Sequence, residues 1–191
     1  MSKASKKRSL ANPSRLRPAG KDDAVRVVIE TPKGSRNKYA FDEDERVFAL
    51  KKVLPTGMAF PYDFGFVPST LAEDGDPVDV LVLMDEPAFA GCLLECRLIG
   101  VIEGEQLDGK KKNGKSKKTR NDRVVAIEQA NHTYAEVKHI DDLGKSFVHE
   151  LEEFFVNYHP LTGKRYKVIG VRGPAEARRR IRDGRHAYQR T

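Results

Sequence analysis

The sequence predicts a mainly β fold, a small barrel or antiparallel sandwich that carries two packed helices. Short runs rich in β-branched residues alternate with turns containing Gly, Pro and Asp, a pattern typical of all-β domains. The first helix is indicated by an apolar stripe at helical spacing, formed by Phe147, Val148, Leu151, Phe154, Phe155 and Tyr158. A second, arginine-rich helix is predicted from Pro174, which suits a first helical turn, to about Tyr188.

The apolar runs define the other elements in chain order. The first helix is expected to be capped by Asp142 or Ser146 and to end before Pro160. A chain of 191 residues is long enough for one domain with a real core. We predict strands at 25–30, 37–41, 47–54, 78–84, 93–102, 124–127 and 166–171, with an acidic turn at 42–45.

The net charge of +7 is unevenly distributed. Residues 1–21 and 110–120 each carry seven Lys and Arg without an acid, and 172–191 carry seven Arg against two acids. The remainder is acidic, with 14 basic and 26 acidic residues. We therefore predict a disordered basic arm at 1–22 and a single domain at 23–191 with a lysine-rich loop at about 108–121.

This charge distribution argues against a dedicated nucleic-acid-binding domain. Such domains gather basic residues on a folded face, often with aromatic side chains that stack on bases. Contact of the basic segments with nucleic acid or polyphosphate remains open, because solvated Lys and Arg attract any polyanion. The sequence has no apolar run of membrane-spanning length and no apolar segment near its first residues, so we expect a cytoplasmic protein.

The two cysteines predict small buried residues rather than a disulfide or a metal site. Cys92 and Cys96 stand four apart in a predicted strand, which places their Cα atoms about 13 Å apart, beyond disulfide reach.

Three carboxylates lie within six residues in Asp74-Gly75-Asp76-Pro77-Val78-Asp79, directly before an apolar strand. Gly75 gives the turn backbone freedom, and Pro77 forces the preceding aspartate toward an extended conformation. Asp74 and Asp76 can then point to one side, and the turn can bring Asp79 beside them. Such a cluster favours a hard divalent cation such as Mg²⁺, although Asp-Gly and Asp-Pro are also ordinary turn dipeptides.

Several segments in order make the chain resemble the soluble family I inorganic pyrophosphatases over about residues 24–180. The segments are 28–39, 61–68, the string DGDPVDVLV at 74–82, RVVAI at 123–127 and FFVNY at 154–158. The resemblance implies a five-stranded OB-like barrel flanked by helices, which hydrolyses pyrophosphate to two phosphates with several Mg²⁺ ions. It also implies a homo-oligomer, since bacterial members are often hexamers.

The resemblance also implies roles for individual residues. Asp76 would orient and deprotonate the attacking water, with Lys38 and Tyr158 as its catalytic partners. The implied metal ligands are Glu30, Asp74, Asp76, Asp79 and Asp122. The implied phosphate-binding residues are Lys38, Lys52, Arg123, Tyr158 and Lys164. Cations and basic side chains are needed because the charge of pyrophosphate repels an attacking hydroxide and grows in the transition state.

The chain departs from the family pattern at several of its expected site positions. Ala40 replaces a common glutamate, Lys52 an arginine, and His159 a lysine. Phe60 and Phe64 replace two tyrosines, so two hydroxyl groups are missing.

The family places two further aspartates between Val101 and Val124, where this chain has its lysine-rich insertion. Strict alignment puts Asn121 at one of these places, and a one-residue shift puts Asp122 there. We favour Asp122, because a neutral amide would leave the metal ions short of negative charge. Two alternatives to pyrophosphate hydrolysis stay open: a metal-dependent hydrolase of another phosphoanhydride, or a weakened homologue that binds polyphosphate or nucleic acid through its basic loop.

Overall fold

A computed structural model describes residues 11–107 and 118–191 of the chain. The strands of these residues are β1 (Val25–Thr31), β2 (Asn37–Asp42), β3 (Val47–Val53), β4 (Asp63–Val67), β5 (Val78–Leu83), β6 (Leu93–Leu107), β7 (Lys118–Arg120), β8 (Arg123–Glu128) and β9 (Arg165–Arg172). The helices are α1 (Lys145–Tyr158) and α2 (Pro174–Tyr188).

Five strands close into a ring, which confirms the predicted five-stranded barrel. β1 pairs with β4, β4 with β5, β5 with β8, β8 with β6, and β6 returns to β1. β7 and β9 pair with the long distal part of β6, while β2 and β3 form a separate two-stranded sheet. The pairing is antiparallel except between β5 and β8. The chain leaves β5 and returns to β8 through β6, and this long connection permits a parallel pair.

Two strands were not predicted, β4 and β7. β4 contains Asp63 and Gly65, residue types that are depleted in strands. Gly65 is required there, because a Cβ at this position would lie 2.0 Å from the carbonyl oxygen of Val28 on β1. β7 falls within the predicted lysine-rich loop at 108–121, of which residues 108–117 lie outside the described residues.

Two apolar clusters fill the fold, one associated with each helix. Val80 and Val82 of β5 join the cluster that contains Ala177 and Ile181 of α2. The alternate residues Leu81 and Leu83 join the cluster that contains Leu151 and Phe155 of α1. The stripe predicted for α1 therefore does face a core.

The start of α1 differs from the prediction. The residue before the helix is Gly144, with φ 81°, and no side chain caps the first turn. Asp142 instead completes the capping box of the short 3₁₀ turn Ile140–Leu143, whose N-cap is His139; its carboxylate accepts hydrogen bonds from the amides of Lys138 and His139. The prediction that Asp142 or Ser146 caps α1 is therefore wrong.

The described part of the predicted basic arm, residues 11–22, packs against the body of the protein. Ser14 is buried in a 3₁₀ turn, and its carbonyl accepts a hydrogen bond from the amide of Ser69. Ala19 forms a β-bridge with Val25. These backbone hydrogen bonds offset the low apolar content from which disorder was predicted; residues 1–10 lie outside the described part.

Both cysteines are free, as predicted, and Cys96 is fully buried; Cys92 is only partly buried and precedes β6, so the prediction that it is a buried strand residue is wrong. No helix in the described ranges has both the length and the apolar character that crossing a bilayer requires.

Candidate active site

A cavity of about 570 Å³ lies between the β2–β3 sheet, the Asp-rich turn before β5 and the C-terminal end of α1. Six carboxylates line it, among them those of Glu30, Asp74, Asp76 and Asp79, which we call the acidic wall. The rest of the lining includes basic, hydroxyl and amide side chains, among them Lys38, Arg123, Lys164, Tyr158, Gln106 and Asn121. The structure therefore brings together most of the site residues predicted from the sequence.

The turn that presents the aspartates is held by its own hydrogen bonds. The Ala72 amide donates to the Asp76 carbonyl at 2.7 Å, and the Asp76 amide donates to Oδ1 of Asp74 at 3.3 Å. Gly75 has φ 95°, a conformation that favours glycine. The turn thus places Asp74 and Asp76 on the cavity, and Asp79 follows on β5.

Burial makes ionisation costly for three carboxyl groups of the acidic wall. Burial, reinforced by the charges of Asp79 and Asp76, raises the pKa of Asp74 to about 6. Burial also raises the pKa of Glu30 and of Asp79, although Lys38 and Arg123 respectively oppose the shift. An additional cation at this wall would favour the charged forms of all three groups.

Arg123 is the cation most deeply set in the cavity. Its Nη1 forms an ion pair with Oδ2 of Asp79 at 2.8 Å and donates to the side-chain oxygen of Asn121 and the carbonyl of Asp122. Burial lowers the pKa of Arg123, but Asp79 and other neighbouring groups outweigh it and the net shift is upward. Its buried Nε has no hydrogen-bond partner among residues 11–107 and 118–191.

Lys38 on β2 is the second cation of the cavity. Its ammonium lies 3.6 Å from Oε2 of Glu30 and 4.1 Å from the ring centroid of Phe64. The other oxygen of Glu30 accepts a hydrogen bond from the amide of Phe41 at 2.8 Å, which fixes the carboxylate. Lys38 is therefore held at the junction of the acidic and the aromatic lining.

Lys52, predicted to bind phosphate, is placed differently. It pairs with Lys38 in the β2–β3 register but is absent from the cavity lining, and its ammonium donates to the carbonyl of Leu161. The ammonium lies 5.7 Å from the ring of Tyr158. Tyr158 itself lines the cavity, and burial raises the pKa of its hydroxyl, so the group stays a hydrogen-bond donor at neutral pH.

The structure does not bring Asp122 into the cavity. Its carboxylate accepts hydrogen bonds from the amide of Gly104 at 3.0 Å and Nε of Arg120 at 2.6 Å, and lies 2.8 Å from Nε of Arg180. Arg120 and Arg180 also contact the buried Glu103. Asp122 is therefore part of an ion-pair network that ties α2 to β6 and β7.

Asn121 occupies the position in the cavity wall for which Asp122 was preferred. Its Nδ2 donates to Oε1 of Gln106 at 3.0 Å, and its oxygen accepts from Arg123. Sequence reasoning missed Gln106, which β6 brings to this place from fifteen residues away. A local signal for Asn121 did exist, because residues two apart in extended chain share a face and Arg123 was already assigned to the site.

His159, which follows Tyr158, is a buried neutral group beside the cavity. Its ring stacks on Tyr166 with centroids 4.3 Å apart, and Nδ1 lies 2.8 Å from the carbonyl oxygen of Phe155. Burial, with Arg123 as a further cause, lowers the pKa of His159 to about 4. The imidazole therefore adds no positive charge at neutral pH, unlike the lysine that the family resemblance led us to expect.

The low pKa of His159 predicts a loss of stability in mild acid. The folded pKa of about 4 lies below the ordinary value of 6.5, so the unfolded chain binds more protons between these pH values. The free energy of unfolding should fall by about 2 kcal/mol between pH 8 and pH 5 through this residue alone. Urea unfolding of the wild type and His159→Gln at both pH values measures it. The variant should lose that part of the pH dependence, whereas His149→Gln, an exposed position on α1, should retain it.

The donor set of the acidic wall fits a hard divalent cation. Glu30, Asp74, Asp76 and Asp79 offer only oxygen donors, and burial disfavours the charge of three of them. In the described ranges no three His, Cys, Asp or Glu side chains are already arranged to hold one ion. Arg123 takes one oxygen of Asp79, so this carboxylate is shared between the guanidinium and any ion that binds.

Comparisons with known proteins agree with this arrangement. A family model described as inorganic pyrophosphatase matches residues 27–189. Among curated proteins, an inorganic pyrophosphatase of Synechocystis sp. is 40% identical over 157 residues, which cover 82% of this chain and 87% of that protein. One from Aquifex pyrophilus is 36% identical over 177 residues, covering 90% and 94% of the two chains.

A solved structure shows the same fold. The inorganic pyrophosphatase of Thermus thermophilus superposes with a TM-score of 0.82 at 34% identity, and the match covers 94% of this chain and 99% of that one. Sequence, fold and cavity thus agree over nearly the whole chain, and the protein belongs to the inorganic pyrophosphatase family.

Proposed function

We propose that this protein hydrolyses inorganic pyrophosphate to two phosphates with the help of divalent cations, of which Mg²⁺ is the ion we expect. The observation that carries the proposal is the cavity itself, which six carboxylates line together with three basic side chains, those of Lys38, Arg123 and Lys164. Hydrolysis of a phosphoanhydride needs acidic groups that hold metal ions and basic groups that neutralise phosphate oxygens.

In this proposal the metal ligands are Glu30, Asp74, Asp76 and Asp79. Asp122 is not among the proposed ligands, because its carboxylate is ion-paired with Arg120 and Arg180. Bound cations would neutralise phosphate charge and make water more acidic.

The chain's own residues bind the substrate and move one proton. Arg123 and Lys38 would bind phosphate oxygens, and the protonated hydroxyl of Tyr158 would donate a further hydrogen bond. Lys164 lines the same cavity and would contact the phosphate group nearer the cavity opening. Asp76, at the exposed edge of the wall, would accept the proton of the water that attacks phosphorus. The new P–O bond forms as the bridging P–O bond breaks, and two orthophosphates result.

The substrate is tested by measuring phosphate release from pyrophosphate, a nucleoside triphosphate and inorganic polyphosphate. Each assay is run with Mg²⁺, with Mn²⁺ and with a chelator. We expect rapid release from pyrophosphate only, dependent on the added cation. Release confined to the longer substrates, or salt-sensitive polyphosphate binding without release, would contradict the proposal.

Assembly and location are part of the same proposal. We expect a homo-oligomer, with the hexamer that the family resemblance implies, in the cytoplasm. Large apolar side chains on and near β3 support association, since Val47, Leu50, Val53 and Phe89 are each more than half exposed. Light scattering coupled to size-exclusion chromatography should give six times the 21.5 kDa chain mass, and a monomer at all concentrations would contradict it.

A further inference from the structure

We propose that Phe64 is a positioning residue that holds both phosphate-binding cations of the cavity at once. The inference rests on the proposed function, because it assumes that Lys38 and Arg123 bind phosphate. It concerns a side chain that carries no hydrogen-bonding group and that the family resemblance marks only as a lost hydroxyl.

The geometry places one aromatic ring within reach of two cations. The ammonium of Lys38 lies 4.1 Å from the ring centroid of Phe64, and Cζ of Arg123 lies 5.8 Å from the same centroid. Both distances fall within the range in which the ring's negative face attracts a cation. Phe64 is only 4% exposed, so water screens these attractions poorly.

Other rings complete two aromatic enclosures, with Phe64 common to both. Phe60 adds a second ring to the surroundings of Lys38, at 5.8 Å. Phe155 and Tyr166 add rings around Arg123, at 5.2 Å and 5.9 Å. Of the rings in the described part of the chain with such contacts, Phe64 alone serves both cations.

An aromatic ring suits this task because it attracts a cation without consuming its N–H donors. Lys38 and Arg123 already have carboxylate partners, Glu30 and Asp79, and a further carboxylate or hydroxyl would occupy N–H donors that phosphate oxygens need. The ring leaves those donors available, and it holds two like charges in one cavity by offsetting part of their repulsion. Phe64 should therefore matter for affinity, although it makes no polar contact with substrate.

The test compares Phe64→Leu with Phe64→Tyr. Leucine keeps an apolar side chain but removes the ring, whereas tyrosine keeps the ring face. We expect the leucine variant to raise KM for pyrophosphate about tenfold with a smaller change in kcat, because Lys38 and Arg123 both lose the ring that holds them. The tyrosine variant should stay within about twofold of the wild type. Phe60→Leu and Phe155→Leu, which each remove a ring from one cation, should give intermediate values.

A second readout does not depend on hydrolysis. In the free protein, the ε-methylene protons of Lys38 should show an upfield ring-current shift in NMR spectra, which Phe64→Leu removes and Phe64→Tyr retains. Phe147→Leu is the matched control, since Phe147 packs on Tyr62 outside the cavity and should leave both KM and the shift unchanged.

The outcomes separate this inference from the proposed function. If the wild type hydrolyses pyrophosphate but Phe64→Leu matches it in KM and in the Lys38 shift, Phe64 does not position the cations. If the wild type releases no phosphate from pyrophosphate, the proposed function fails. In that case the NMR comparison still decides whether Phe64 holds Lys38.

Discussion

Asp76→Asn should abolish nearly all pyrophosphate hydrolysis while leaving the protein folded. Asp76 is exposed on the turn before β5, so an isosteric amide there disturbs no core contact. The amide cannot accept the proton of the attacking water, and it binds cations poorly. Loss of a general base alone typically lowers a rate about 100- to 10,000-fold. We expect kcat to fall by at least that amount at saturating Mg²⁺.

The control for this substitution is Asp44→Asn. Asp44 is an exposed acid in the turn between β2 and β3 and lies outside the cavity lining, so it matches the change in charge and size. Its kcat should equal that of the wild type. An Asp76→Asn variant that retains more than a tenth of the wild-type kcat would show that another group takes the proton.

The Arg123–Asp79 ion pair should be the most sensitive polar contact of the fold. Arg123→Met removes the guanidinium and leaves the carboxylate of Asp79, whose side chain is 19% exposed, without its partner. Breaking one side of a buried ion pair typically costs about 3 to 5 kcal/mol of unfolding free energy. We expect a loss of this size in urea unfolding at pH 8 without metal, together with a large rise in KM for pyrophosphate.

The double variant Arg123→Met with Asp79→Asn isolates the cause. Removing the charge of Asp79 as well should restore most of the stability, because the cost arises from the unpaired carboxylate. Hydrolysis should remain lost in the double variant. Equal stability of Arg123→Met and the wild type would mean that the carboxylate is solvated, and that the cavity is less dry than its burial indicates.

Much of the fold could be predicted from local pattern, and the failures have non-local causes. The strands rich in β-branched residues and both helices were found, because burial on one face imposes a period. β4 escaped because Asp63 and Gly65 have poor strand propensity, yet β1 approaches so closely that only glycine fits. The segment 11–22 has too little apolar content to predict packing, yet its backbone bonds to Val25 nearby and to Ser69, which lies far along the chain.

The site residues also divide into those that a local pattern predicts and those that only strand pairing brings together. Asp74, Asp76 and Asp79 could be placed together because a short, stiff turn fixes their relation. The choice between Asn121 and Asp122 had one local signal, the face that Asn121 shares with Arg123, but the pairing of β7 and β8 with β6 decides it. That pairing brings Gln106 to Asn121, and it sends Asp122 toward Arg180 on α2.

The most direct test is a crystal structure of the wild-type protein grown with Mn²⁺, which stands in for Mg²⁺ and scatters anomalously. We predict an anomalous peak within coordination distance of the carboxylate oxygens of Asp74, Asp76 and Asp79. In crystals of Asp76→Asn grown under the same conditions, this peak should be absent or clearly weaker. A cavity without anomalous density at millimolar Mn²⁺, with the three carboxylates turned away from one another, would contradict the claim that this turn gathers cations for phosphoanhydride hydrolysis.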